Sequence, residues 1–400
     1  MRKVVVISDF RDGWPPASTV PVKADRLRAW TARAKDEQQE LQTNAEVMVE
    51  GGYLERLPLA CVARGIVGRA EIWSHWRGES PPNDIADEHL KRRAFMMNGT
   101  DYPFSSDDML AHIEVYGAPT ILCVWGLGVS EEILFACRDS FKIYNSIDAP
   151  ALRIPSAVSR HFDLILTASK EQSEDVLACH PDMQVAILPI GPEFASPSTF
   201  YPIECRKDYD IIYVAAAQPY KRHDILFAAL GRLPRTVRTL CVFGYGDNAA
   251  ALRQDAAELG LNVDFIGPPG VPFAEVNRLM NRARIGVVCG VDDGAPAVLT
   301  EYMLAGLPVL ANAELRCGLQ YITPETGAVS NGSQFHLGIA EMLERLADFA
   351  PRAAVLRQWT WQHSIKKLQL LIEAHPSSRR RGVQHSTSFD QIERLKGRYS

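Results

Sequence analysis

Hydrophobic residues in this chain fall into short runs separated by polar, helix-patterned stretches. KVVVISD at 3–9 is a β-branched run ending in Asp, the form of a buried parallel strand whose carboxyl end meets a loop, here RDGWPPAS. Residues 20–58 are rich in Arg, Lys, Glu and Ala with apolar positions at helical spacing, and AEIWSHW at 70–76 reads as the next strand. The polar, turn-rich stretch 77–108 yields no assignment. From 119 the alternation is regular: TILCVWG strand, VSEEILFACRD helix, FKIYNSID strand, PSAVSRHF helix, DLILTAS strand, EQSEDVLACH helix, QVAILPIG strand. The second half repeats it with DIIYVAAA, a helix from His223 to Leu233, RTLCVFG, a helix from Asn248 to Leu259, NVDFIG, a helix around 273–283, RIGVVCG, a helix around 296–305 and LPVLAN.

Alternation of this kind predicts right-handed crossovers and parallel sheets, so the fold class is α/β with two tandem doubly wound domains facing a central cleft. The proline-bearing, aperiodic stretch around 191–208 holds the boundary. The domains run 1–195 and 209–374 with a linker at 196–208. A last helix around 352–373 is free to pack back on the first domain, and 375–400 is a mobile tail.

Composition narrows the function. The chain is 46% hydrophobic and 23% charged, enough apolar residues for sizeable cores. A formal charge of -5 argues against a general nucleic-acid binder. Eight cysteines without C-x-x-C pairing, several inside apolar runs, read as free thiols in a reducing compartment. No signal-peptide pattern opens the chain, and no apolar run approaches the roughly 20 residues of a membrane span, so a cytoplasmic location is expected.

The segment DDGAPAVLTEYMLAGLPVLAN at 292–312 carries the most chemistry. Gly294 permits a tight turn after a strand, Ala295 follows, Pro296 suits a first helical turn, and Gly306 suits the position after the helix. The N–H groups at such a tip attract anions, including a nucleotide diphosphate. Glu301 lies roughly 7–8 Å further along the axis, within reach of ribose hydroxyls.

An acid followed by Gly, then by Glu eight positions after the acid, then by A-G-L-P-V resembles the E-x7-E block of retaining glycosyltransferase family four (group 1), whose fold is GT-B, two Rossmann-like domains. Asp293 stands at the first Glu, one methylene shorter, and Glu301 at the second. The resemblance implies that Asp293 contacts the donor sugar and Glu301 the ribose. YVAAAQPYKRHDILFAAL at 213–230 resembles the family's diphosphate-neutralising strand-loop-helix. Lys221 takes its Lys position, Ala216 replaces its Arg, and Arg222 is the candidate for the missing charge. Gly244-Tyr245-Gly246 followed by Phe265, Ile266 and Gly267 resembles its base-binding region.

In the first domain, ILPIGPEF at 187–194 resembles the family's P-N-G-x-D stretch, with Ile190 for Asn and Glu193 in the acidic place. Asp148, at a strand's carboxyl end, is a candidate acceptor-side group and equally a helix cap; Gly13 is a candidate for loop approach to the diphosphate. Asp208-Tyr209-Asp210 has the D-x-D form of metal-dependent transferases, but it precedes a strand and reads as a turn leading into it, and no His, Cys or carboxylate cluster has metal spacing. The expectation is therefore transfer of a sugar from a nucleotide sugar to a hydroxyl, with retention implied by the resemblance and with no metal or cofactor. The acceptor would be a glycan, lipid-linked or protein acceptor in glycan or cell-surface polysaccharide biosynthesis, with contact at the inner membrane face. Three alternatives remain. The Gly244 turn with Asp264 eighteen residues after Gly246 is close to a dinucleotide fingerprint, so an NAD-dependent oxidoreductase is one. A non-catalytic nucleotide-sugar-binding protein and a sugar-nucleotide epimerase are the others.

Overall fold

The computed structural model describes residues 2–8, 47–77, 81–146 and 150–376. Strands of the first lobe are β1 (Lys3–Ile7), β2 (Arg69–Trp76), β3 (Ile85–Ala86), β4 (Leu90–Met96), β5 (Ile121–Trp125), β6 (Phe141–Asn145), β7 (Leu164–Thr167) and β8 (Gln184–Ile187). They form one sheet in the order β3-β4-β2-β1-β5-β6-β7-β8, parallel except for the β3–β4 pair. Strands of the second lobe are β9 (Ile211–Val214), β10 (Thr239–Val242), β11 (Val263–Ile266), β12 (Ile285–Val288), β13 (Val309–Asn312) and β14 (Gly327–Ser330). Their order is β11-β10-β9-β12-β13-β14, all parallel.

Both sheets are covered on both faces, which is why their strands read as continuous apolar runs. Along β1, Val4 and Val6 enter one core while Val5 and Ile7 enter the opposite one. Along β9, Ile212 faces one layer, Ile211 and Tyr213 the other. In the second lobe the strand order reverses between β9 and β12, and ligands in such sheets bind at that switch point, outside the carboxyl ends.

The unassigned stretch 77–108 contains β3 and β4. The latter, LKRRAFM, was illegible because its charges are satisfied from outside the strand: Arg92 meets Glu55 at 3.3 Å, and Arg93 meets Glu71 at 3.0 Å and also Asp84. The single last helix expected at 352–373 is two, Pro351–Gln358 and Trp361–Ala374. Thr360 between them is extended, at φ -106° and ψ 162°. The break has a packing cause. Val355 belongs to the second lobe's core, whereas Trp361, Ile365, Leu368 and Ile372 complete that of the first. The chain recrosses between lobes at Trp359–Trp361, where the Trp361 amide donates to the Ala195 carbonyl at 3.2 Å.

Candidate active site

Two loops at the β9/β12 switch point build the site. After β9, a short 3-10 turn at Pro219–Lys221 is closed by Arg222 in the left-handed region, φ 51°. Tyr213 on β9 donates its hydroxyl to the Lys221 carbonyl at 2.6 Å, which pins the turn from below. After β12, the 290–297 loop runs between this turn and residues 316–317. Val291 N–H donates to Tyr220 O, Arg316 N–H to Val291 O, and Gly294 bridges Cys317. Gly290 leaves room for the approach, since a Cβ there would stand 3.2 Å from Tyr220 O and 3.4 Å from an Asp293 carboxylate oxygen. The result is a Lys221–Asp293 ion pair whose side chains are only 14% and 11% exposed. The Lys221 ammonium also lies 5.0 Å from the Tyr220 ring centroid.

The helix of the 292–312 block differs in detail from the expectation. It begins at Val298 and ends at Leu304, with Ala297 as N-cap, so Pro296 precedes the helix instead of opening it. The left-handed backbone falls on Ala295, φ 91°, and not on Gly294. Ala295 packs its methyl with Ala168 and Cys317 from either lobe, a contact that a glycine would forfeit. Strain at a non-glycine residue of this kind collects at functional sites. Gly306 does take the left-handed turn after the helix, φ 90°.

The helix tip faces the other lobe. Tyr53, first residue of the Tyr53–Ala63 helix, accepts a hydrogen bond from the Ala297 N–H at 3.2 Å. Burial of its hydroxyl end, then the negative charge of Asp293, push this phenol above its usual range, and Glu301 adds to the effect. The residue as a whole is 41% exposed. Both carboxylates act on this one phenol, Asp293 the more strongly. Glu301 forms an ion pair with Arg56 of the same first-lobe helix. Between the lobes, Gly191 has no space for a side chain: a Cβ would meet Tyr53 Cε1 at 2.5 Å and the Ala297 Cβ at 3.2 Å. Tyr220 and Tyr245 lie together, and burial together with Tyr245 pushes the Tyr220 phenol upward.

Arg222 does not join Lys221. Its guanidinium is bound by Asp224 at 2.9 and 2.8 Å, because the left-handed turn swings it onto its own helix. Gly13 and Asp148 lie outside the described residues. Glu193 is buried where the lobes join, accepting from Ser364 at 2.8 Å on the first-lobe side and from Tyr321 at 3.3 Å on the second. In the Gly244 turn, Gly246 is pressed on the Ala217 backbone, where a Cβ would stand 2.4 Å away. Phe265 and Ile266 end β11 beside it, half-buried, and Arg253 donates to the Gly267 carbonyl. Asp264 binds Tyr209 at 2.9 Å and Arg238 at 3.3 Å, at the strands' amino ends. It faces away from the Gly244 turn, so the dinucleotide fingerprint is not completed in space. Asp208 and Asp210 are likewise held at that edge by Arg282 and Arg284, at 2.8 and 3.3 Å. Among the described residues no three of His, Cys, Asp and Glu stand together as a metal site, and no helix is long and apolar enough to cross a membrane.

Sequence reasoning missed Gly51, Gly52, Tyr53 and Arg56. A signal existed: a double glycine directly before the helical run YLERLPLACVA. Gly51 takes φ 93°, and Glu55 caps the Gly52 N–H at 2.9 Å, so the turn delivers Tyr53 and Arg56 to the facing lobe.

Residues 203–345 match the family model of glycosyl transferases group 1. A comparison with curated protein sequences finds no match. Among solved structures, the chain resembles sucrose-phosphate synthase from Thermosynechococcus elongatus, with TM-score 0.63 and 16% identity over 93% of this chain and 99% of that one. It resembles Anabaena HepE, solved in complex with UDP and glucose, with TM-score 0.59 and 12% identity over 93% and 100% of the two chains. The pneumococcal O-GlcNAc transferase GtfA, in complex with UDP and GlcNAc, aligns with TM-score 0.57 and 9% identity over 93% and 99%. With the switch-point loops and the matched second lobe together, the chain has the two-lobed GT-B architecture of these structures, and its second lobe resembles glycosyl transferases group 1.

Proposed function

We propose that the protein transfers a sugar from a nucleoside-diphosphate donor to an acceptor hydroxyl, and that UDP is the nucleotide. The observation that carries this is the Lys221–Asp293 ion pair at the switch point, beside the Ala297 amide that meets Tyr53 of the other lobe, with Glu301 further along the same segment and paired to Arg56. Lys221 stabilises charge developing on the leaving diphosphate, a large effect where the cleft excludes water. Asp293 orients both that ammonium and the donor sugar, while Glu301 accepts the ribose hydroxyls. The Ala297 N–H, now held by Tyr53, is offered to a phosphate oxygen when the lobes adjust. With a fixed ammonium supplying the positive charge, the reaction proceeds without metal or other cofactor. Retention at the anomeric carbon is what the resemblance to family four implies. UDP in the HepE and GtfA complexes supports the choice of nucleotide. The acceptor is a glycan or a lipid- or protein-linked one in polysaccharide assembly, met in the cytoplasm at the inner membrane face.

The test is hydrolysis and transfer of UDP-, GDP- and dTDP-sugars by the full chain. Turnover with a UDP-sugar, lost in Glu301→Ala and Lys221→Ala, supports the reading, and turnover with GDP- or dTDP-sugars alone defeats its choice of nucleotide. Nucleotide binding without turnover across the panel, or elution from nucleotide-agarose by NAD in preference to UDP, defeats it.

A further inference from the structure

Arg56 is 1% exposed, and its guanidinium donates to three separate parts of the molecule. Nε donates to Gly51 O at 2.9 Å in its own lobe, Nη1 to Gly191 O at 3.1 Å between the lobes, and Nη2 to Glu301 Oε1 in the other lobe. The rings of Phe200 and Phe273 stand 5.8 and 6.0 Å from Cζ. A planar fork held at three acceptors fixes the plane of the carboxylate it binds, which a flexible ammonium cannot do. Only Oε1 is used. Glu301 keeps 9% of its side chain accessible, and among the described residues Oε2 has no hydrogen-bond partner.

We infer that Arg56 is a positioning residue for the donor, acting through Glu301: it holds the carboxylate so that Oε2 meets the ribose hydroxyls. Because the guanidinium belongs to the opposite lobe, the ribose is gripped fully only while the lobes are together. The inference rests on Glu301 as the ribose acceptor, proposed above.

A residue that only staples the lobes affects every nucleotide alike, whereas a positioning residue affects nucleotides that carry ribose hydroxyls. The experiment compares the affinities of UDP and GDP with those of their 2′,3′-dideoxy analogues. Wild type prefers the hydroxylated form by about tenfold or more, the worth of a hydrogen bond to a charged group. In Arg56→Lys the preference falls to within about threefold, and a preference held at the wild-type value overturns the inference. Should Arg56→Lys not fold, the double variant Arg56→Met/Glu301→Gln, which leaves neither charge buried alone, is compared with Glu301→Gln, in which the guanidinium keeps its carbonyl acceptors Gly51 and Gly191. Glu301→Gln keeps a several-fold preference through the oriented amide, and the double variant loses it; equal preferences in the two overturn the inference. A wild type that binds hydroxylated and dideoxy nucleotides equally refutes instead the donor-site reading on which this one stands.

Discussion

Acid should destabilise this protein through His223, the first residue of the helix behind the Lys221 turn. Its ring is 3% exposed and lies among Tyr213 at 4.8 Å, Phe243 at 5.3 Å and Phe227 at 6.5 Å. Burial, then the Lys221 charge, push its pKa down from 6.5 to about 4. Between those values the unfolded chain binds a proton that the folded chain refuses, so stability is full above 6.5 and is lost as pH falls toward 4. At about 1.4 kcal/mol per unit, the loss at pH 4 is about 3 kcal/mol. His75, also buried and pushed down to about 4, contributes in the same direction. His223→Leu separates the two, because it removes one titration and leaves everything else that titrates in place. Urea unfolding of both proteins at pH 7 and pH 4 is the assay. Wild type should lose about 3 kcal/mol more than the variant between the two pH values. Losses that agree within about 1 kcal/mol would refute the reasoning.

Three further outcomes follow from the same geometry. Lys221→Ala should lower kcat by about a hundredfold to a thousandfold with KM less affected, measured as donor turnover by a protein whose circular dichroism is unchanged. Gly191→Ala inserts a methyl between Tyr53 and Ala297 and should cost about 1–3 kcal/mol, read as a lower melting temperature together with a raised donor KM. Burial raises the Glu193 carboxyl, with Lys367 and Ser364 opposing it, so its folded state holds a proton that the unfolded chain releases. Stability from this group is present at low pH and lost as pH rises through the folded value. Glu193→Gln should abolish that part of the slope and melt higher than wild type at neutral pH.

The parallel strands and both switch-point loops were legible because they depend on local pattern: β-branched runs, a helix after each, glycine at the turns. Gly306 is a local requirement and was readable as one. Ala295 was not, since its left-handed backbone is imposed by packing between Ala168 and Cys317. The short GAVS strand β14 and the Phe335–Glu344 helix went unassigned, the first too brief to show a period. Arg222 looked free in the sequence, yet Asp224 two residues on captures it. Arg56 was beyond reach for a different reason. Its meaning lies in Glu301, 245 residues away, and no spacing rule links two lobes across a cleft.

The polypeptide passes from lobe to lobe at two neighbouring places, between Phe194 and Ala195 and again at Thr360, tied by one amide-to-carbonyl contact. A single tether would act as a swivel and let one half twist freely over the other. Two adjacent tethers behave as the knuckles of a door, leaving one easy rotation and resisting the rest. A rotation confined to that axis would bring Tyr53 and Arg56 back to the Ala297 amide and Glu301 each time the lobes close.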